Sequence, residues 1–217
     1  CFDHTETCKL ISPTLTFEAI NQFASKTMKT NVVRVPMTKE IGIDLKTTGQ
    51  MVNSKTNMVY LCNPNNPTGV VMNPKELEVF CKETSKKSIV FVDEAYHEYV
   101  MDKQYRSMVS LVNEGYDVLI SRTASKVHGL AGLRVGYAIS TPKIIKRLNS
   151  YMNGSLNVVG LRGAIASYKD KRFQKFSIEK NNEGRTIVTD YLDKKGIEYL
   201  DSQTNFIFIN TGIDIKK

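Results

Sequence analysis

Along this chain, short apolar and β-branched runs alternate with longer stretches in which apolar positions recur every three or four residues. Residues 32–35, 58–61, 89–92, 118–120, 135–139 and 206–209 are runs of the first kind and predict strands. Residues 74–84 set Leu77, Val79 and Phe80 among Lys and Glu, the spacing of an amphipathic helix, and residues 17–29 read the same way. Alternating strand and helix implies a mostly parallel sheet with helices on its faces. The runs 58–61 and 89–92 are apolar along most of their length, as expected of strands covered on both sides. From about Pro142 the character changes. Residues 144–151 and 162–192 predict long, charged helices, and 206–209 returns to strand. The expected architecture is therefore α/β, a three-layer α/β/α large domain over residues 1–145. Residues 146–217 would supply linking helices and the start of a smaller C-terminal α/β domain.

Composition narrows the function classes. The chain has 217 residues, 41% hydrophobic and 24% charged, ordinary for a globular protein. A net charge of +8 raises the question of a nucleic-acid partner. The lysines are scattered, however, with only small pairs such as Lys86-Lys87 and Lys216-Lys217, and no basic stretch is interleaved with aromatics. A basic surface without nucleic-acid binding is the expectation. Cys1, Cys8, Cys62 and Cys81 show neither a CxxC pairing nor a disulfide framework. His4, His97 and His128 lie far apart and lack metal-ligand spacing, so no metal is expected. No apolar run is long enough to cross a membrane. The cytoplasm is the default expectation for the compartment, and an exported form stays open because the chain begins at Cys1 rather than methionine.

In a parallel sheet, ligands bind at the carboxyl ends of the strands, and three predicted strands end in polar clusters. The first is Cys62-Asn63-Pro64-Asn65-Asn66-Pro67-Thr68-Gly69. It is either a plain strand-to-helix connection or a rigid turn that aims an amide over the strand ends. The second is Asp93-Glu94-Ala95-Tyr96. A carboxylate there needs a cationic or hydrogen-bonding partner: a neighbouring Arg or Lys is one choice, a protonated heterocyclic nitrogen the other. The third is Ser121-Arg122-Thr123-Ala124-Ser125-Lys126, running on through Gly129-Leu130-Ala131-Gly132-Leu133-Arg134-Val135-Gly136-Tyr137. Its glycines let backbone approach a ligand closely, and Arg with hydroxyls suits phosphate. A lone lysine is usually a solvated surface residue, but Lys126 sits in a small, otherwise apolar loop that suits imine chemistry.

Together, in this order and separation, the three clusters resemble the active site of fold-type I pyridoxal-phosphate enzymes. The resemblance is to aminotransferases of class I and II, and within them to the histidinol-phosphate aminotransferase branch. It implies that Lys126 forms a Schiff base with pyridoxal 5′-phosphate and then serves as the base that moves the substrate proton. By the same match, Asp93 pairs with the ring nitrogen, and Asn66 and Tyr96 bond the ring's phenolic oxygen. Thr123, Ser125 and Arg134 hold the phosphate. Thr16-Phe17 falls where the family places an aromatic on the cofactor ring, although Leu15 stands where proline usually precedes that threonine. Asn205, in Thr204-Asn205-Phe206-Ile207-Phe208, falls near the substrate. Gly154-Ser155-Leu156-Asn157-Val158 lacks the aromatic that branch often carries before Asn-Val, which leaves the amino donor open.

The resemblance covers nearly the whole chain, and full-length relatives extend beyond both ends of it. No counterpart of the family's N-terminal phosphate-binding loop is present, and its substrate-gripping C-terminal arginine would fall past Lys217. The expected activity is transfer of an amino group from an amino acid or amino-alcohol phosphate to a 2-oxo acid such as 2-oxoglutarate, in a homodimer. Two other readings are a phosphothreonine decarboxylase-like enzyme and a non-catalytic, cofactor-binding domain of a regulator. The regulator reading expects a fused DNA-binding module, of which these residues hold no sign.

Overall fold

The computed structural model describes residues 8–152 and 154–213, so Cys1, His4 and the Lys216-Lys217 pair lie outside the described residues. Six strands form one sheet: β1 (Lys9–Pro13), β2 (Asn31–Val35), β3 (Thr56–Cys62), β4 (Ile89–Asp93), β5 (Val118–Thr123) and β6 (Gly136–Ile139). Their spatial order is β2-β1-β3-β4-β5-β6. All neighbours pair in parallel except β5 and β6, which are antiparallel because residues 124–135 turn the chain back without a crossover helix. The helices are α1 (Ala19–Gln22), α2 (Leu45–Gln50), α3 (Pro74–Thr84), α4 (Val109–Asn113), α5 (Pro142–Ser150), α6 (Val158–Lys169) and α7 (Lys171–Lys195).

Side chains alternate across the strands and so divide the core in two. One face gathers Ile11, Val35, Val59, Leu61, Val90, Val92, Val118 and Ile120 against Leu77, Phe80 and Cys81 of α3 and Leu111 of α4. The other gathers Leu10, Met58, Tyr60 and Cys62 with Ile20 and Ala24, from α1 and the turn after it. The three-layer α/β/α arrangement thus follows from strands that are apolar on both sides. Local chemistry sets the helix starts. Asn73 accepts from the amides of Lys75 and Glu76, with Pro74 in the first turn of α3. The Asp44 carboxylate accepts from Thr47 N at 2.8 Å to open α2.

Three expected elements are corrected. Residues 17–29 do not form one α-helix: α1 is a single turn and passes into a π-helical turn at Phe23–Thr27. Residues 162–192 are two helices, because Asp170 closes α6 and its carboxylate accepts from Phe173 N at 2.9 Å to open α7. A capping aspartate competes with the helical backbone for hydrogen bonds, and here it wins. Residues 206–209 have strand composition but make only a single bridge, Tyr199 to Ile209. An extended run becomes a strand only when a neighbour pairs with it. No helix of the described residues is long and apolar enough to cross a membrane.

Candidate active site

The carboxyl ends of β3, β4 and β5 stand side by side, with Cys62, Asp93 and Ser121 in register. Residues paired in this way point to the same face, so Asp93 lies between Cys62 and Ser121 on the α1 side of the sheet. Its Oδ1 accepts from Ser121 Oγ at 2.7 Å and Ala95 N at 3.2 Å, and its Oδ2 from Tyr60 OH at 3.2 Å. Burial pushes the Asp93 carboxyl above its ordinary pKa, while these donors and the nearby Lys126 pull the other way. Burial and the Asp93 charge also raise the Cys62 thiol far above its usual range, which keeps it neutral.

Lys126 follows β5 in a tight turn. Ser125 N donates to Thr123 Oγ1 at 3.0 Å, Gly129 N to the Lys126 carbonyl at 2.9 Å, and Leu130 N to the Ala124 carbonyl at 3.0 Å. The Lys126 ammonium stands 4.8 Å from the centre of the Tyr96 ring, a cation–π distance. Tyr96 is buried, its ring met edge-on by Phe206 at 5.1 Å. Its hydroxyl accepts from Asn66 Nδ2 at 3.3 Å. Asp93, Lys126, Tyr96 and Asn66 are therefore brought to one end of the sheet by three successive strand-end loops.

The asparagine-rich turn was ambiguous as sequence, and the hydrogen bonds separate its members. Asn63 Oδ1 accepts from Met72 N at 2.9 Å. Asn65 Oδ1 accepts from Thr16 Oγ1 at 2.9 Å, and Asn65 Nδ2 donates to the Leu15 carbonyl at 3.0 Å and to Thr68 Oγ1 at 2.9 Å. Asn63 and Asn65 thus hold the turn itself. Asn66 is the asparagine whose amide meets Tyr96. The Asn65 bonds also dock the segment of Leu15 and Thr16 against this turn, with Phe17 beside it, 43% exposed.

Arg134 reaches the same end of the sheet, because Ala124 N donates to the Val135 carbonyl at 3.0 Å. Its backbone is left-handed (φ 54°, ψ 47°), a conformation that costs a non-glycine residue about 1 kcal/mol or more. The guanidinium is exposed and donates to the Ala131 carbonyl at 2.9 Å. Thr123 Oγ1 contacts the Val135 carbonyl at 3.4 Å. Asn205 is exposed, whereas its neighbour Phe206 is the residue of that segment that meets Tyr96. A cleft of about 780 Å³ lined by Ile41, Tyr199, Phe208 and Ile213 includes none of the strand-end groups.

Sequence reasoning passed over three contributors. Ser121 lies inside the third polar cluster, and its role follows only from the register that sets it beside Asp93. Tyr60 stood in an apolar run with nothing to mark its hydroxyl. Phe206 was read as part of a strand.

Gly69 closes the asparagine turn at φ +76°, and a Cβ there would collide with Ser202 Oγ. The Gly69 carbonyl accepts from Gln203 N at 2.8 Å, so this close approach ties the turn to the 202–206 segment that carries Phe206. Gly69→Ala is expected to lower stability by at least about 1–2 kcal/mol from the positive φ alone. Urea unfolding would check it, and an unchanged midpoint would contradict the packing described.

The aminotransferase class I and II family model matches residues 1–213, and the chain belongs to this family. A histidinol-phosphate aminotransferase of Brevibacillus brevis is 39% identical over 188 residues, 85% of this chain and 50% of that protein. Histidinol-phosphate aminotransferase 2 of Hydrogenovibrio crunogenus is 34% identical over 92% of this chain and 53% of its own length. The chain thus spans about half the length of the curated relatives it matches. Among solved structures, a protein of Erwinia carotovora atroseptica superposes with a TM-score of 0.92 at 31% identity, covering 98% of this chain and 62% of that one. Histidinol-phosphate aminotransferase of Sinorhizobium meliloti, in complex with pyridoxal-5′-phosphate, gives 0.88 at 25% identity, covering 95% of this chain and 56% of that one.

Proposed function

We propose that the full-length protein is a pyridoxal-phosphate-dependent aminotransferase. Its amino donor is an amino-alcohol phosphate of the histidinol-phosphate kind or a related amino acid, and its acceptor a 2-oxo acid such as 2-oxoglutarate. The observation that carries this is the placing of the Lys126 amine over Tyr96, one strand end from the Asp93 carboxylate. The donor set suits the cofactor: a carboxylate for a ring N–H, an amide and a phenol side by side for a ring oxygen, and an amine for a carbonyl carbon. When bound, that cofactor supplies a protonated ring that accepts the electrons released as the substrate α-proton leaves.

In this reading Lys126 holds the cofactor's carbonyl carbon, and its amine, once free, moves the proton from the substrate α-carbon. Asp93 receives the ring N–H, and Asn66 and Tyr96 steady the ring oxygen. Thr123, Ser125 and Arg134 hold the phosphate, while Phe17 covers the ring and keeps water from it. Asn205, exposed beside Phe206, is assigned to the substrate. A homodimer is part of the proposal, supported by the exposed Val158, Val159, Ile165, Phe173 and Phe176 on α6 and α7. The relatives named as histidinol-phosphate aminotransferases support the choice of donor.

The test is to give the full-length protein pyridoxal phosphate, histidinol phosphate and 2-oxoglutarate. Glutamate should form, and with the donor alone the cofactor should pass to its pyridoxamine form. Release of CO₂ from an amino acid phosphate without that conversion would replace aminotransfer by decarboxylation, and no cofactor absorbance change at all would end the proposal.

A further inference from the structure

The Tyr60 hydroxyl does something its ring does not require. Tyr60 is fully buried within the apolar cluster of Leu10, Ala24, Met58 and Cys62, packed edge-on against Phe91 at 5.2 Å. A phenylalanine would fill this space equally well. A buried hydroxyl costs free energy unless it finds a partner, and this one finds Asp93 Oδ2 at 3.2 Å. Oδ1 already accepts from Ser121 and Ala95 N, so Oδ2, with one protein donor, is the oxygen left to receive a ligand N–H.

We propose that Tyr60 is a positioning residue for the cofactor's ring nitrogen: its hydroxyl fixes Asp93 Oδ2 and keeps the carboxylate a weaker base than the ring. This rests on the pyridoxal-phosphate reading of the site. The physical reason is a competition for one proton. Burial makes the Asp93 carboxylate more basic, which would draw the proton off the ring and onto the carboxylate. Every donor aimed at Asp93 opposes this, and Tyr60 is the donor on the oxygen that would be left for the ring. The other titratable groups nearby are Cys62, kept neutral as a thiol, and Lys126, whose charge favours the carboxylate.

The probe is pyridoxine 5′-phosphate, which has the ring and phosphate but no aldehyde, so that it cannot bond to Lys126. Its absorbance distinguishes protonated from neutral ring when bound to the cofactor-free, full-length protein. With wild type the bound ring should be protonated at neutral pH. With Tyr60→Phe a fraction should become neutral at the same pH, and binding should weaken about threefold to tenfold, the scale of one ordinary hydrogen bond, because Tyr60 acts through Asp93 rather than on the ring itself. Ser121→Ala removes a donor from the other oxygen and should move the spectrum in the same direction. A Tyr60→Phe protein that keeps its circular dichroism, the wild-type spectrum and the wild-type affinity would overturn the proposal, more so if Ser121→Ala shifts. Asp93→Asn separates this from the site itself. If Asp93→Asn also leaves binding and spectrum unchanged, the cofactor reading fails and Tyr60 falls with it.

Discussion

Lys126→Ala should abolish covalent retention of pyridoxal phosphate while leaving the fold intact. The side chain is only partly buried and makes one cation–π contact, with Tyr96 at 4.8 Å, so its loss removes little packing. The turn that carries it is held by backbone bonds from Gly129 and Leu130 and by Thr123 Oγ1, none of which needs the lysine side chain. Under the proposed function, by contrast, the chemistry loses both the attachment point and the base that moves the α-proton. A positioned base alone contributes about 10²–10⁴-fold to rate, so amino transfer in the full-length protein should fall by at least about that range. Borohydride treatment followed by mass measurement should find cofactor fixed to the wild-type chain and none on the variant. Cofactor fixed to another lysine in both proteins would remove Lys126 from its role. Asp93→Asn, which keeps the side chain's shape, should weaken noncovalent cofactor binding about 10- to 100-fold, the scale of a lost charge-assisted bond of about 1.5–3 kcal/mol. Its effect on the cofactor-free protein has the opposite sign. Because burial raises the Asp93 carboxyl above its unfolded value, ionised Asp93 disfavours folding increasingly as pH rises through and above the carboxylate range. The cofactor-free Asp93→Asn protein should therefore be more stable than wild type at neutral pH and lose that advantage in acid.

The strand ends were legible because each chemical cluster interrupts an apolar run that had to be buried on both faces. The run ending at Leu61 stops against Asn63-Pro64, and the run ending at Val92 stops against Asp93-Glu94, so sheet and site announce themselves at the same residues. The choice of Asn66 came from the family match and not from residue chemistry, since Asn63, Asn65 and Asn66 share one chemistry and differ only in the partners the fold gives them. The same is true of Tyr60 and Ser121: their partner is Asp93, on another strand, and register is a property of the folded sheet. Short helices escaped for another reason. Residues of α2 and α4 give only one or two turns, too few for a helical period to emerge; α2 holds by its Asp44 cap and α4 by packing Leu111 on the sheet. The 206–209 run shows the reverse error, where composition suited a strand and pairing did not follow.

Glu94, next to Asp93 but on the opposite face of the sheet, carries the largest expected stability effect. It is fully buried, and its two oxygens accept from Ser107 Oγ at 2.9 and 2.8 Å, Met108 N at 2.9 Å, and Arg122 Nε and Nη2 at 3.2 and 2.8 Å. Burial works against the Arg122 cation, but the bonds to Glu94 outweigh it and hold its pKa up. Glu94→Leu would take the carboxylate from Arg122, which keeps its bond to Ser107 Oγ at 2.9 Å, and the acceptor from the Met108 amide. Breaking a buried pair in this way costs about 3–5 kcal/mol. For a chain of this size that lowers the melting temperature by roughly 6–20 °C. The double variant Glu94→Leu/Arg122→Met should recover most of the loss, because removing both charges also removes their desolvation cost. Scanning calorimetry of wild type, Glu94→Leu, Arg122→Met and the double variant forms a double-mutant cycle, and a double variant no more stable than Glu94→Leu would show that packing, not the unpaired charge, sets the penalty. The pair also ties β4 to β5 one residue from both Asp93 and Ser121. Glu94→Gln, which keeps the shape and part of the bonding, should therefore weaken cofactor binding more than its modest loss of stability alone would suggest. In the proposed site, Asp93 would present Oδ2 to a ring nitrogen only while the ends of β4 and β5 stay in register.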